Sequence, residues 1–405
     1  MTKTRILSCL LAIVVLVLLA IGILVIYSTT YAVASRFFLN NQLKWVLVSS
    51  VVALIIIFIP LPVLSRLSKL ALIGVLLPLA YLALAGTIAW LMEKMTGRQD
   101  VHVLPFALTS HGACRWLSIG GFTIQPSEFT KPVLILFLST YYGMRETHVI
   151  KSFKEGFLLP ACVVGLTLGL ILLGRSLSVA LISGAVAAAV MYLTGVRLRY
   201  MLIAGLVCML LGCCSVVFMP YRMKRITNFI VKHFAHTALA EEKKESANNE
   251  QLDSAQIAIG SGGLKGLGFG QGRLKHKSIP EARTDFILAV VGEEFGFIGL
   301  FVCILLFLAF MFICFAIAQT CRDRQSMLIC LGVGVLVPMQ AMLNLGVISG
   351  VLPTTGIPVP FISYGGSSLL AIMSSVALVF NVCHQNFLAQ RQAIVTANNS
   401  VGLGI

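Results

Sequence analysis

The feature that most constrains this chain is a succession of apolar runs, each about as long as a bilayer is thick. A spanning helix needs about 20 mostly apolar residues at a rise of 1.5 Å each. Ten segments meet that length approximately: 6–28, 45–63, 70–92, 129–143, 157–174, 177–195, 200–219, 287–319, 326–350 and 367–383. The fourth and tenth are short. The eighth is too long for one crossing, so part of it is expected to stand outside the lipid. Composition agrees: 58% of the 405 residues are hydrophobic and 11% charged, against about 45–50% and about 25% in soluble domains. Disorder is excluded by the same figures. The expectation is an all-α polytopic membrane protein, residues 1–405 forming a single domain.

The first run follows Lys3 and Arg5. It is longer than the roughly 7–15-residue core of a signal peptide and lacks a clear small-residue cleavage site, so it should remain as the first span. The 11 cysteines mostly lie inside apolar runs, with no CxxC pair and no His/Cys metal spacing. They read as small apolar fillers, not a disulfide or zinc framework.

Orientation follows from short loops, whose Lys and Arg favour the cytoplasm. Ten spans put both termini on one side. That side carries Lys3, Arg5, Arg66, Lys69, Arg145, Lys151, Lys154, Arg197, Arg199, Arg322, Arg324 and Arg391, twelve in all, against three (Arg36, Lys44, Arg175) in the short loops opposite. The termini are therefore expected in the cytoplasm, with larger external loops at 93–128 and at 220–286, the latter between helices seven and eight. The net charge of +15 on a membrane protein suggests anionic lipid head groups, topology signals or a phosphorylated substrate, not nucleic acid. The 220–286 loop holds eleven basic residues. Loops of roughly 60 residues are largely exempt from the charge rule; an anionic substrate and a solvated loop both account for them, and the stretch 238–250 reads as solvated.

Acids at a helix centre cost about 2.5–3.5 kcal/mol on insertion scales, so apolar-flanked acids are worth tracing. Two clusters stand at the outer ends of expected spans. In the first, Arg115 to Pro132, Ser127 can cap a helix and Pro132 sits near its start. Glu128 and Lys131, three apart, share a helix face and can neutralise each other, either as an interfacial anchor or as a pair lining an outward cavity. The second runs from Ile279 through Pro280-Glu281-Ala282-Arg283-Thr284-Asp285-Phe286 to Glu293-Glu294-Phe295-Gly296. Thr284 or Asp285 can cap the eighth span. Glu293 lies eight residues beyond Asp285, about 12 Å along a helix and about 80° round it. One carboxylate would sit at the mouth and the others deeper, where a raised pKa suits a general base.

Residues 260–272 hold seven glycines; they can form an anion nest or serve as flexible turns. No Walker or GxGxxG pattern is present, so no nucleotide site is expected. Residues 353–368 hold three prolines and cannot be one regular helix. Irregular backbone at membrane depth is tolerated only against protein or a wet cavity, so this stretch should cover or line an outward cavity. Ser363 and Tyr364 within it are candidates for substrate contact.

These blocks, four in register, resemble the SEDS family (shape, elongation, division and sporulation), whose members include FtsW, RodA and SpoVE. The blocks are Arg115-Trp116 to Lys131, Ile259 to Leu264, Pro280 to Gly296, and Leu352-Pro353 to Ser368; with the ten-span layout they cover nearly the whole chain. Pro220-Tyr221-Arg222-Met223-Lys224-Arg225 looks more like the division branch, FtsW, than RodA. The resemblance implies a peptidoglycan glycosyltransferase acting on lipid II, a disaccharide-peptide on undecaprenyl pyrophosphate. The family's essential Asp matches Asp285, and its Glu and Lys match Glu128 and Lys131. Three positions depart from the family pattern. Gly174-Arg175-Ser176-Leu177-Ser178 stands where an acid is usual, and Arg283 and Lys277 replace His and an acid, all making the site more basic.

On this reading Asp285 takes the proton from an acceptor sugar hydroxyl. Arg115, Lys131 and Arg283 offset the pyrophosphate charge, with Glu128 and Glu293 near by. A divalent cation, magnesium or manganese, can share that task, although no metal-ligand spacing shows one. The family implies a class B penicillin-binding protein transpeptidase and other divisome proteins as partners, in the inner membrane of a bacterium. A lipid II flippase and a non-catalytic scaffold are the rival readings. The acids cluster at outer helix ends instead of being spaced through the membrane, which favours the polymerase.

Overall fold

The computed structural model describes residues 3–31, 37–96, 104–110, 113–120, 122–217, 247–272, 283–353 and 356–402. Most of the basic residues of the 220–286 loop, with Pro280, Glu281 and Ala282, fall outside them. The helices are α1 (Lys3–Tyr31), α2 (Phe37–Phe58), α3 (Leu61–Thr96), α4 (Pro126–Gly143), α5 (Thr147–Ile150), α6 (Leu159–Leu173), α7 (Leu177–Thr194), α8 (Leu198–Val217), α9 (Ala247–Gly262), α10 (Ile287–Thr320), α11 (Arg324–Ile348) and α12 (Gly366–Gly402), with a π-turn at Phe153–Leu158. Within the described residues the ten apolar segments overlap these helices. Among the described residues eight helices are long and apolar enough to cross a membrane by themselves. The other two segments are α4, which carries Glu128 and Lys131, and α8. The fold is all-α and polytopic.

Helix boundaries follow local chemistry. α2 stops at Phe58 because Pro60 cannot donate and disfavours a helical residue before it. Its open carbonyls at Ile56, Ile57 and Ile59 accept from Asn381 Nδ2 of α12 at 2.9, 3.0 and 2.6 Å. α7 ends on Gly195 at φ 94°, the left-handed position that glycine occupies without a Cβ penalty. Asp323 caps α11, accepting from Ser326 N at 2.7 Å. α4 starts at Pro126 with Gln125 as its N-cap, and that residue's side chain makes no capping bond. Ser127 is therefore not the cap that its type suggested. The position before α10 is likewise taken by Phe286, not by Thr284 or Asp285.

α11 is the central helix, packed by α10, α4, α7 and α12. The outward faces of the surrounding helices carry exposed Leu, Ile and Phe, such as Leu16, Leu47, Leu77 and Phe312, as a lipid-facing surface does. The 93–128 stretch contains an element that apolar runs do not reveal. Three antiparallel strands, β1 (Ala107–Ser110), β2 (Ala113–Ile119) and β3 (Phe122–Ile124), lie in sequence order. Leu117 pairs with Ala107 on one side and Ile124 on the other. Gly120, at φ 58°, turns the chain between β2 and β3.

The long eighth segment is two helices. At Gly296 the backbone reaches φ 67°, ψ −164°, a region open in practice only to glycine. The break removes bonds from the helical ladder, and the glycine-rich stretch replaces them. Leu267 N and Gly268 N donate to the carbonyls of Glu293 and Glu294 at 2.9 and 3.0 Å, while Phe297 N and Ile298 N donate to Gly263 and Leu264 O at 2.9 and 3.2 Å. Gly263, Gly266, Gly268 and Gly270 all have positive φ. Leu267 and Gly268 N–H groups are thus given to α10 and not to a bound anion.

Gly296→Ala should lose this joint. A Cβ there would meet Leu264 O at 2.5 Å and also press on Gly266 N. We expect a loss of at least about 2 kcal/mol of stability, read as a lower melting temperature of the detergent-solubilised protein. Gly169→Ala in α6, with open space around it, should melt at or slightly above the wild-type temperature.

Candidate functional site

The site begins in the first turn of α4. Glu128 and Lys131 are 2% and 1% exposed, and Lys131 Nζ lies 2.8 Å from Glu128 Oε2. Their i, i+3 spacing makes the contact within one helix. A buried ammonium needs further acceptors, and Gln340 Oε1 of α11 provides one at 3.0 Å. Gln340 Nε2 then donates to Pro358 O at 2.7 Å. Thr130, on the next turn face, shares a 2.9 Å hydrogen bond with Ser183 of α7.

One turn further along α11, Asn344 repeats the arrangement. Its Nδ2 donates to Asp285 O at 2.7 Å and to Ile357 O at 2.6 Å. Two amides about 6 Å apart along one helix face therefore grip consecutive carbonyls, Ile357 and Pro358. One of them also holds Lys131 and the other the Asp285 backbone. Asn344 Oδ1 is buried without a hydrogen-bond partner among the described residues.

Asp285 is half-buried. A Cβ on Gly356 would stand 3.0 Å from Asp285 Oδ2, so the proline-rich segment lies against the carboxylate. From Ile357 to Ser363 that segment is mostly buried and irregular, as expected of backbone that only protein or a cavity tolerates. Ser363 is 5% exposed; its Oγ donates to Thr284 O at 2.5 Å and accepts from Val359 N at 2.7 Å. Its single proton is committed there, so Ser363 holds the Asp285 segment in place and is not the open substrate contact its position suggested. Tyr364 N donates to Arg283 O at 2.9 Å, and its ring meets Phe38 edge-on at 5.4 Å.

Arg283 lies over the other face of this cluster. Its guanidinium sits 4.3 Å from the centroid of Phe38 and donates to Thr29 O at 3.3 Å. Partial burial lowers its pKa from the ordinary arginine value, but the group remains a cation at any physiological pH. Arg283 and Asp285 thus flank Thr284 on one short segment, with Lys131 tied to that segment through α11.

Arg115 and Glu293 are placed elsewhere. Arg115 is exposed on β2, and its Nη2 donates to Arg175 O at 2.6 Å, the turn between α6 and α7. Glu293 is buried in α10 before the Gly296 break; a Cβ on Gly272 would lie 2.7 Å from its Oε2. Glu294 accepts from Ser28 Oγ of α1 at 2.5 Å. Two acids expected deeper than Asp285 therefore belong to the α1–α10–glycine-loop joint. Gln340 and Asn344 were missed in the sequence. Their signal was available: two amides at i, i+4 inside an otherwise apolar run.

Among the described residues no three His, Cys, Asp or Glu side chains converge to hold a metal ion.

A family model described as "Cell cycle protein", covering FtsW, RodA and SpoVE, matches residues 8–387. The chain belongs to the FtsW/RodA/SpoVE family. Among its relatives is a probable peptidoglycan glycosyltransferase FtsW from Trichlorobacter lovleyi, 33% identical over 378 residues, 92% of either chain. Stage V sporulation protein E from Bacillus subtilis is 29% identical over 92% of this chain and 96% of that one. The fold matches RodA of Thermus thermophilus at TM-score 0.64 and 23% identity, covering 93% and 96% of the two chains. It also matches a chain from a peptidoglycan synthase complex studied for coordinated polymerisation and crosslinking, at TM-score 0.72, 23% identity and 93% and 97% coverage.

The buried pair yields a test specific to this family member. Glu128→Gln strands Lys131 as an uncompensated charge and should cost about 3–5 kcal/mol. Glu128→Gln combined with Lys131→Met should recover most of that stability. Thermal unfolding in one detergent measures it; strictly additive losses would mean that the pair does not act as a unit.

Proposed function

We propose that this chain is a peptidoglycan glycosyltransferase that polymerises lipid II at the outer face of the cytoplasmic membrane, in the septal synthesis of cell division. The observation that carries the reading is kinship over 92% of both chains with a protein named a probable peptidoglycan glycosyltransferase FtsW. The geometry supports it. Asp285 is a half-buried carboxylate on a segment whose backbone is held by Asn344 and Ser363, so it meets a substrate without reorganising.

In the proposed reaction Asp285 accepts the proton of the acceptor sugar hydroxyl. That oxygen bonds to the donor's anomeric carbon as the bond from this carbon to the pyrophosphate breaks. The electron pair leaves on the undecaprenyl pyrophosphate, so no nucleotide is consumed. Arg283 stabilises the charge that develops on the leaving group; Lys131, paired with Glu128, acts through Gln340 on the segment that faces Asp285. Gln340 and Asn344 position these groups and are not themselves reactive. A class B penicillin-binding protein would cross-link the strands, alongside other divisome proteins; the likeness to a chain from a synthase complex supports a partner of that kind.

The test is glycan chain formation from lipid II by the purified protein, with and without the transpeptidase. Asp285→Asn keeps the shape and should lower the rate by about 10²–10⁴-fold or more with an unchanged melting temperature. Near-normal polymerisation by this variant would overturn the assignment and bring the flippase reading forward. If wild-type protein is inactive alone and with its partner, the scaffold reading moves ahead.

Two positioning variants refine the reading. Gly356→Ala would push on the carboxylate at 3.0 Å, and Asn344→Leu releases the Asp285 and Ile357 carbonyls. Both should lower kcat by about 10-fold or more while KM for lipid II changes little, because misplacement of about 1 Å can cost 10²-fold. A rise in KM at constant kcat would instead make these residues part of substrate binding.

A further inference from the structure

At one end of the bundle the C-terminal ends of α4 and α7 meet the starts of α6, α8 and α11. Arg324 at the start of α11 donates to Thr194 O at the end of α7, and Gly143 packs against Gln325. The intervening segment is folded tightly back: Tyr141 Oη donates to Glu155 O at 2.6 Å and Tyr142 Oη to Gly156 O at 2.8 Å. This places the rings of Phe153 and Phe157 5.1 and 5.7 Å from that of Tyr200 on α8.

Tyr200 has two cations beside it. Arg199 Nη2 donates to Tyr200 Oη at 2.9 Å, with its guanidinium carbon 4.8 Å from the ring centroid, and Arg197 lies close to the same side chain. Both guanidiniums are exposed. Lys151 and Lys154 are carried by the segment that holds Phe153. Two acids of this end are engaged elsewhere: Glu146 pairs with His148 at 3.2 Å and Asp323 caps α11. The third, Glu155, adjoins Lys154 in the chain. Among the described residues no carboxylate forms an ion pair with Arg197 or Arg199. Two like charges converging on one phenol repel each other unless an anion lies between them.

The flanking surface says which anion. Leu198 and Leu202, beside Arg199 in sequence and one helical turn beyond it, are 52% and 63% exposed; Leu159, 46% exposed, directly follows the Phe153–Leu158 turn whose rings pack on Tyr200. A soluble anion has no use for such a rim, whereas a lipid has a phosphate for the guanidinium forks and acyl chains for the leucines. We propose that Arg197 and Arg199, set by Tyr200 and supported by Lys154, bind the phosphate of an anionic phospholipid whose chains lie along Leu159, Leu198 and Leu202. The site is separate from the Asp285 segment and does not depend on the reaction proposed above.

The protein is reconstituted in nanodiscs containing equal amounts of phosphatidylglycerol and phosphatidylcholine, and retained lipid is counted by native mass spectrometry. Wild-type protein should retain phosphatidylglycerol preferentially. Arg197→Gln and Arg199→Gln should each reduce that preference by about fivefold. Tyr200→Phe keeps the ring packing but frees the guanidiniums, and should give an intermediate loss; it also carries the test should the arginine variants not fold. An unchanged preference in the variants, or none in the wild type, would overturn the proposal. A melting-temperature rise with inorganic phosphate equal to that with phosphatidylglycerol, abolished by the variants, would overturn the lipid assignment in favour of a soluble-anion site.

Discussion

In hydrocarbon, a backbone N–H or C=O that leaves the helical ladder has no water to turn to. That constraint organises the functional half of this molecule. Wherever the chain departs from a helix at depth, a specific partner has been supplied. The Gly296 break is closed by four hydrogen bonds to the glycine-rich stretch. The 356–365 segment hangs from Gln340 and Asn344, and its own Ser363 ties it to Thr284. The irregular backbone permits Asp285 and Gly356 to meet, and the amides of α11 make that backbone permissible.

The same amides link electrostatics to geometry. Lys131 is nearly fully buried, and the desolvation of such a group costs several kcal/mol. Glu128 supplies the countercharge and Gln340 the second acceptor. Because Gln340 also binds Pro358, a change at the ion pair is transmitted to the segment that faces Asp285. A pair that contributes little to stability against an apolar replacement can thus still fix the shape of a reactive site.

Much of this was legible in the sequence. The spans follow from apolar run length, and Asp285, Arg283, Glu128 and Lys131 were visible as charges where charge is expensive. What escaped has physical reasons. The sheet of β1 to β3 is too short to impose a clear two-residue period against an apolar background. The break in α10 needs a tertiary partner to become stable, and Gly296 alone does not announce one. Glu293 and Asp285 were placed on one helix by assuming unbroken geometry from 285 onward, whereas α10 begins only at Ile287 and its buried acids turn towards α1 and the glycine-rich stretch. Gln340 and Asn344 carry no charge, so a search for costly ions passes over them.

The clasp of Asn381 on the end of α2 bears on the order of biogenesis. Its partners lie 325, 324 and 322 residues earlier in the chain. At about 5–20 residues per second, a ribosome adds a stretch of that length in roughly 15–65 s. Throughout that interval the carbonyls of Ile56, Ile57 and Ile59 must be satisfied by head groups, water or the insertion machinery. α12 is therefore the helix that completes the second, and truncation anywhere before it leaves an early helix unfinished.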